Sequence, residues 1–146
     1  MSVHSQGNVE MRSIARYGTI IVIIHALAVI LHGLAHREIP VPLSPFQHWF
    51  VASIIVVAPI AAMILLWTPL QQLGSWLLLC SMAGALLFGV YHHFIVLSPD
   101  RISQVPLTDW GIVFHITAIL LSLTEGIGCA ISAWGVSTLQ RREQVL

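Results

Sequence analysis

Apolar residues along the chain gather into four long runs, separated by short segments that contain proline and polar residues. The runs cover about residues 18–36, 46–67, 75–97 and 110–135. Each run is close to the roughly 20 residues that an α-helix needs to cross the hydrocarbon core of a bilayer. The pattern therefore predicts an all-α integral membrane protein with one domain, a four-helix transmembrane bundle with up-down-up-down connections.

Local signals refine these helices. Ser44, Pro45 and Gln47 match the N-cap, the first helical residue and the capping-box partner expected at the start of the second helix. Pro59 falls inside the second run. Membrane helices tolerate an internal proline, so we expect a kink there and not an end. Residues 1–11 precede the first run and are expected to form a flexible tail.

The arginines predict the orientation in the membrane. Four of them flank the ends of the bundle that carry the two termini: Arg12, Arg16, Arg141 and Arg142. The opposite side has Arg37 and Arg101. Because short cytoplasmic segments are enriched in positive residues, both termini are expected in the cytoplasm, with the chain as a multi-pass protein of the cell inner membrane.

The composition agrees with a membrane protein and excludes several partners. The chain is 57% hydrophobic and 8% charged, whereas soluble domains carry roughly 25% charged residues. The net charge is zero, so no basic field attracts nucleic acid, and the lipid bilayer is the expected surroundings. Cys80 and Cys129 match no metal-binding or redox spacing. They are expected to be small packing residues, with a soft metal ligand or a disulfide as alternatives.

Histidines are the most informative polar residues in the chain. Counting 1.5 Å per helical residue, and with cytoplasmic termini, six of the eight fall in the outer half of the membrane, about 7–13 Å from its midplane. They come from all four predicted helices: His32, His36, His48, His92, His93 and His115. His4 belongs to the tail and is expected to be solvated. A shared depth favours a shared site over six independent structural roles.

Helical projection predicts which of these rings meet. At 100° per residue, His92 and His115 each align with a stripe of small residues, and such stripes mark close contacts between membrane helices. Both side chains are therefore expected to point into the bundle, whereas His93 points toward a neighbouring helix or a partner. The rings of His32, His92 and His115 are expected to converge within about 5–8 Å.

Imidazole-rich sites suit copper, iron and zinc. Acidic residues are few at this depth, which disfavours a carboxylate-bridged di-iron site. We therefore expect a copper or iron ion that serves electron transfer or the oxidation of a membrane-dissolved small molecule, with a quinone or another apolar small molecule as a possible partner. The expected first ligands are His32, His36, His92 and His115. The expected second-sphere or alternate ligands are His48 and His93.

Three alternatives stay open at this point. A b-type haem would use His32 with His92 or His115 as axial ligands, and the arrangement is similar in architecture to small multi-helix membrane cytochromes. A metal or proton transporter would also need polar groups inside the membrane. An accessory subunit without a cofactor, part of a larger membrane complex or a homo-oligomer, would use the histidines for packing only. Fold-level likeness does not decide among these reactions.

Glu125 is the one acidic residue inside an apolar run. A carboxylate at that depth is costly and is a functional candidate by default. Glu125 and His25 both fall about 3 Å to the inner side of the midplane. Because helices one and four are neighbours in a simple bundle, the two side chains are expected to pair. Their predicted role is catalytic, as a path for protons to the metal, with a passive clamp between the helices as the alternative.

Overall fold

The computed structural model describes the backbone of residues 3–39 and 41–144, with side chains from Val9 onward except at 142 and 143. Within these ranges the regular structure is helical, and no residue lies in a β-strand. Four helices are long and apolar enough to cross a membrane: Val9–Glu38, Pro45–Leu65, Gln71–Ile95 and Trp110–Arg141. The chain is therefore a multi-pass membrane protein, as the apolar pattern predicts.

The first helix, α1, runs from Val3 to Glu38 and begins well before the first apolar run. The segment expected as a tail is thus helical from Val3, while the side chain of His4 lies outside the described residues. Met11 and Ile14, three residues apart, are buried at 3% and 0% exposure. A buried helix face with this spacing continues past the apolar run, and its packing explains why the helix starts early.

The second helix, α2, covers Pro45–Leu65 and starts with the predicted cap. The Ser44 hydroxyl accepts from the Gln47 amide at 3.2 Å, and the Gln47 side-chain oxygen accepts from the Ser44 amide at 2.7 Å. The helix contains a π-helical stretch, Val51–Val57, and then returns to α geometry. It continues past Pro59 as predicted, since the helix ends at Leu65.

The third helix, α3, covers Gln71–Ile95, and its last five residues, Tyr91–Ile95, form a π turn. A connection with a short 3-10 turn at Ile102–Gln104 leads to the fourth helix, α4, Trp110–Glu143. Helix α4 packs against both α1 and α3, while α2 packs mainly against α3. The predicted neighbourhood of the first and fourth helices is therefore observed.

The larger part of the apolar core lies away from His32, His36 and His93. The main cluster of buried apolar residues joins the first halves of α1 and α3 to the end of α2, with these members: Ala15, Ile21, Val22, Ala62, Leu66, Leu78 and Met82. Cys129 and Ile131, in the later half of α4, are partly buried and pack against this cluster. A smaller cluster of Ala35, Val105 and Phe114 lies under the α3–α4 connection. The remaining interior holds polar side chains and a cavity.

Candidate metal centre

Three histidines from two helices meet inside the bundle. His32 and His36, one turn apart on α1, and His93 on α3 each bring one ring nitrogen within 4.8 Å of the others. The rings of His32 and His93 are nearly perpendicular, with centroids 4.9 Å apart. Exposure is only 8% for His32 and 7% for His93. These residues are called the three-histidine cluster below.

Thr117 on α4 fixes the orientation of His32. Its hydroxyl oxygen lies 2.8 Å from Nδ1 of His32 and 2.7 Å from the carbonyl oxygen of Val113. The hydroxyl has one hydrogen and donates it to the helix carbonyl, so it accepts from His32. Nδ1 of His32 therefore carries the proton, and Nε2 presents its lone pair to the cluster.

Asp100, in the connection between α3 and α4, holds the other two rings. Its carbonyl oxygen accepts a hydrogen bond from Nδ1 of His93 at 3.1 Å. One carboxylate oxygen, Oδ1, lies 3.3 Å from that same Nδ1 and 3.3 Å from Nε2 of His36. These contacts allow charge pairing, although neither is aligned as a hydrogen bond. Nε2 of His93 is left with its lone pair, and Nδ1 of His36 has no hydrogen-bond partner among the described residues.

The carboxyl group of Asp100 is suited to this role because it stays ionised. Burial raises the pKa of this carboxyl, but the close contact with His93, and positive charge on His93, His36 and His32 when those rings are protonated, outweigh burial and lower it. The net result is a pKa below the usual range of an aspartate. A buried anion, exposed by only 5%, therefore faces the outer sides of two imidazole rings.

This arrangement has the chemistry of a metal site. Histidine ligands usually donate the far N–H to a carboxylate, a backbone carbonyl or a similar acceptor, which orients the ring and raises its basicity. Here Thr117 and Asp100 supply those acceptors. Three imidazoles with an open fourth position are a common ligand set for a reactive ion. The donors therefore fit a metal that prefers nitrogen, which includes copper, iron and zinc.

The spacing of one pair of nitrogens in the cluster also fits a shared ion. Nε2 of His32 and Nε2 of His93 are 3.2 Å apart. Two nitrogens bound tetrahedrally at about 2.0–2.1 Å from a metal are about 3.3 Å apart. Two neutral rings with protons on their far nitrogens would instead set lone pair against lone pair. A shared proton or a bound cation relieves that repulsion.

The structure does not bring His92 or His115 to His32. The ring of His92 packs on Phe88 with centroids 4.4 Å apart, and its Nδ1 lies 3.4 Å from the side-chain nitrogen of Gln47. Nδ1 of His115 donates to the carbonyl oxygen of Gly111 at 2.6 Å, within its own helix. The convergence of His32, His92 and His115 expected from helical projection is therefore not observed.

His48 is also separate from the cluster. Its Nδ1 donates to the carbonyl oxygen of Ser44 at 3.0 Å, and the residue is exposed at the start of α2. It lines the rim of the cavity described below but does not belong to the group of ligand atoms. Of the six expected ligands, the structure thus joins His32, His36 and His93.

The π turn at Tyr91–Ile95 explains why His93 and not His92 reaches the cluster. A π turn bonds residue i to i+5 and holds more residues than an α turn, so projection at 100° per residue fails across it. His93 comes onto the face of α3 that also carries Ala85 and Gly89, and all three line one cavity. Asp100 was missed as a partner because its position depends on how the α3–α4 connection folds. The turn-forming Ser98–Pro99 pair before it is the available signal.

A cavity of about 560 Å³ adjoins the cluster. All four helices contribute to its wall, and Val41, Pro42 and Leu43 of the α1–α2 connection close one side. The three-histidine cluster lies at one polar end, and Ser122 and Glu125 form a second polar region. The cavity therefore connects the candidate metal site with the buried acid.

His25 and Glu125 face each other across α1 and α4, as predicted. Nδ1 of His25 lies 4.0 Å from Oε1 of Glu125, and the residues are 1% and 3% exposed. Nε2 of His25 donates to the carbonyl oxygen of Ile55 at 3.2 Å. That carbonyl is accessible because Pro59, four residues later, has no N–H to offer it. Pro59 thus leaves free the acceptor that holds His25 with Nδ1 toward Glu125.

Both cysteines lie outside the site. Cys80 is exposed on the surface of α3 and Cys129 is partly buried in α4, and both are free thiols. The disulfide considered from the sequence is therefore not formed. No family model, curated protein or solved structure matches the chain.

Proposed function

We propose that this protein holds one copper or iron ion inside the membrane, with His32, His36 and His93 as ligands. The main observation behind this proposal is that one nitrogen from each of the three rings lies within 4.8 Å of the other two. The acceptors on the outer sides of His32 and His93, the Thr117 hydroxyl and the Asp100 carbonyl, hold the ring protons on Nδ1 and leave Nε2 of each ring free to bind a metal. His48, His92 and His115 are left out of the proposed ligand set because they contact other groups.

The proposed role is redox chemistry on a small molecule dissolved in the membrane, or electron transfer with such a molecule. Copper and iron change oxidation state, whereas zinc does not. Three protein ligands leave a position open, and the adjoining cavity offers an apolar molecule access to it. The cavity wall supports this proposal because most of its lining residues are apolar.

His25 and Glu125 are proposed as the acid–base pair of this reaction. Oxidation of a hydroxyl-bearing molecule releases protons, and a buried carboxylate with an imidazole can accept them and pass them on. Glu125 lines the same cavity as the three-histidine cluster. A proton released there therefore has an acceptor within the same enclosed space.

Haem is less well supported than a single ion. Axial ligands on opposite sides of a haem iron need nitrogens about 4 Å apart or more, given metal–nitrogen bonds of about 2.0 Å. The closest pair here is 3.2 Å apart. The histidines first considered as axial partners of His32, namely His92 and His115, do not face it.

We further propose the up-down-up-down bundle with both termini in the cytoplasm and the chain in the cell inner membrane. The distribution of arginine supports this orientation. The main apolar cluster supports the up-down connections, because it joins early residues of α1 and α3 to the end of α2, with Cys129 and Ile131 of α4 packed against it. With this orientation the three-histidine cluster lies in the outer half of the membrane.

Metal analysis of the purified full-length protein tests the proposal, combined with its absorption spectrum. We expect about one copper or iron per chain, lost in His32→Ala and His93→Ala and retained in the matched variant His115→Ala. A Soret band would instead identify a haem protein. Preparations without metal that also fail to take up added Cu²⁺ or Fe²⁺ would overturn the proposal and favour an accessory or transport role.

A further inference from the structure

The cavity beside the cluster has the composition of a small-molecule site. Its volume of about 560 Å³ lies within the range of ligand pockets, about 300–1,000 Å³. Most of its wall is apolar, with contributions from Val29, Val51, Ile55, Ala85, Phe88 and Leu121. The polar groups lie mainly at two ends, with the cluster and Asp100 at one and Ser122 and Glu125 at the other, while Arg37 and His48 are exposed at the rim. A ligand that fits this wall has an apolar body and polar atoms at two ends.

The Glu125 end lacks a hydrogen-bond donor. Oε2 of Glu125 is buried and has no partner among the residues that the structure describes. Ser122 does not supply one, because its hydroxyl donates to the carbonyl oxygen of Ala118 at 3.1 Å. His25 uses its Nε2 hydrogen on Ile55. A hydroxyl group of a bound molecule would satisfy this carboxyl oxygen.

Gly89 lies close to both polar ends of the cavity. A Cβ atom placed on Gly89 would lie 3.8 Å from Oε2 of Glu125 and 4.0 Å from Cδ2 of His93. One point on α3 is thus in van der Waals reach of both ends. The separation between Oε2 of Glu125 and the ring of His93 suits one small ring and is too short for an extended chain.

The aromatic part of the cavity wall and the charged residues around the cavity restrict the class of ligand further. Phe88 lines the cavity and stacks on Phe50 at a centroid distance of 4.7 Å and an angle of 12°, so its ring has a fixed position. Because Phe50 and His92 both pack on this ring, an aromatic ligand would meet the part of it that lines the cavity. Asp100 and Glu125 place two carboxyl groups at the cavity, while Arg37, the lining cation, is exposed at the rim. This charge distribution disfavours an anion and favours a neutral hydrogen-bond donor.

We propose that the cavity binds a neutral hydroquinone-class molecule, an aromatic ring with hydroxyl groups at opposite positions. One hydroxyl donates to Oε2 of Glu125, the ring lies between Gly89 and Phe88, and the other hydroxyl faces the three-histidine cluster. Naming this molecule as the substrate rests on the proposed function. Its binding needs the cavity and Glu125 and does not need the metal.

The test measures binding of trimethylhydroquinone to the full-length protein in detergent micelles, by calorimetry under anaerobic conditions. The matched ligand is the dimethyl ether, which has the same ring and no hydrogen to donate. Each is titrated into metal-free and metal-loaded protein. We expect the hydroquinone to bind metal-free protein at least about tenfold more tightly than the ether, because only the hydroquinone satisfies Glu125.

Two variants of similar size locate the site. Gly89→Leu places a side chain into the cavity and is expected to abolish binding. Gly126→Leu, on the turn of α4 beside Glu125, meets open space within 4 Å of its Cβ and is expected to leave binding unchanged. Equal affinity for the two ligands, or unchanged binding in folded Gly89→Leu, would overturn the inference. The ligand comparison needs no variant and decides the matter even where Gly89→Leu fails to fold.

The two proposals can fail separately. Hydroquinone binding to a chain that takes up no copper or iron would reject the metal proposal and keep the cavity assignment. Stoichiometric metal at the three-histidine cluster, without a preference for the hydroquinone over its ether, would do the reverse.

Discussion

Nε2 of His32 and Nε2 of His93 face each other at 3.2 Å across α1 and α3. Thr117 and the carbonyl of Asp100 place the ring protons on the opposite nitrogens, so the two facing atoms both offer lone pairs. Such a contact is unfavourable unless the two nitrogens share a proton or a metal cation lies between the rings. The hydrogen bonds around the site therefore give a physical reason for its proposed affinity for a metal.

The neighbouring residues His92 and His93 provide a matched pair of variants. His93→Ala removes one of three ligands and is expected to lower the affinity for Cu²⁺ by more than about 100-fold, beyond the effect of losing a second-sphere group. His92→Ala is expected to change it less than about threefold, since His92 packs on Phe88. Competition titration with a chelator of known affinity measures both. An equal loss in the two variants would contradict the assignment of ligands.

Asp100→Asn tests whether the carboxylate beside His36 and His93 strengthens metal binding. The substitution keeps the backbone carbonyl that accepts from His93 but removes the negative charge beside His36 and His93. We expect metal affinity to fall by about 10–100-fold with the three ligands unchanged. Asp109→Asn, at an exposed position in the same connection, is the control. If both variants bind like the wild type, the carboxylate of Asp100 has no role in tuning the site.

Glu125→Gln separates proton transfer from packing. The substitution keeps the size and most hydrogen bonding but cannot accept a proton. We expect a folded protein with full metal content in which added hydroquinone, losing one electron and one proton, reduces the bound Cu²⁺ or Fe³⁺ about 100-fold more slowly or more, with a changed pH profile. Metal content, helical circular dichroism and single-turnover reduction rates are measured on the same sample. Unchanged rate and pH profile would reduce Glu125 to a helix contact.

Pro59 and His25 are predicted to be energetically coupled through the carbonyl of Ile55. Pro59→Ala restores an N–H that competes for that carbonyl, so the hydrogen bond from His25 weakens. A double-mutant cycle with His25→Ala should give a coupling energy of about 0.6 kcal/mol, within the range up to about 1.7 kcal/mol for membrane helices. Unfolding free energies in mixed micelles provide the measurement. If the losses of stability in the two single variants simply add in the double variant, Pro59 does not position His25 through the carbonyl of Ile55.

The orientation is tested by cysteine accessibility in a chain whose two native cysteines are replaced by serine. Ser103→Cys, in the exposed α3–α4 connection, should react with a membrane-impermeant reagent added to intact cells. Gln144→Cys, near the carboxyl terminus, should react only after the membrane is opened. The opposite labelling pattern would reverse the orientation and place the cluster in the inner half of the membrane.

Several features follow from the sequence because they depend on local rules. The capping box at Ser44 and Gln47 is one, and the four apolar helices are another. The contact between His25 and Glu125 also follows, because both depths could be counted along straight parts of α1 and α4. Each of these features depends on positions that can be counted along a single helix or its first turn, and the His25–Glu125 contact on two such counts.

The composition of the histidine site could not be predicted in the same way. Projection at constant rotation selected His92, but the π turn at Tyr91–Ile95 brings His93 to the interior face. Asp100 comes from a connection whose path is set by tertiary packing, in part by Gly111. A Cβ on Gly111 would lie 1.9 Å from the carbonyl oxygen of Pro106, so only glycine permits this approach of the loop to α4. Such contacts leave little periodic signal in a sequence.

X-ray absorption spectroscopy at the copper or iron edge of the purified full-length protein tests the metal centre most directly. We expect three imidazole nitrogens at about 2.0–2.1 Å, two in His93→Ala, and three again in His92→Ala. A spectrum dominated by a porphyrin, or a nitrogen count that falls in His92→Ala and not in His93→Ala, would contradict a metal held by His32, His36 and His93.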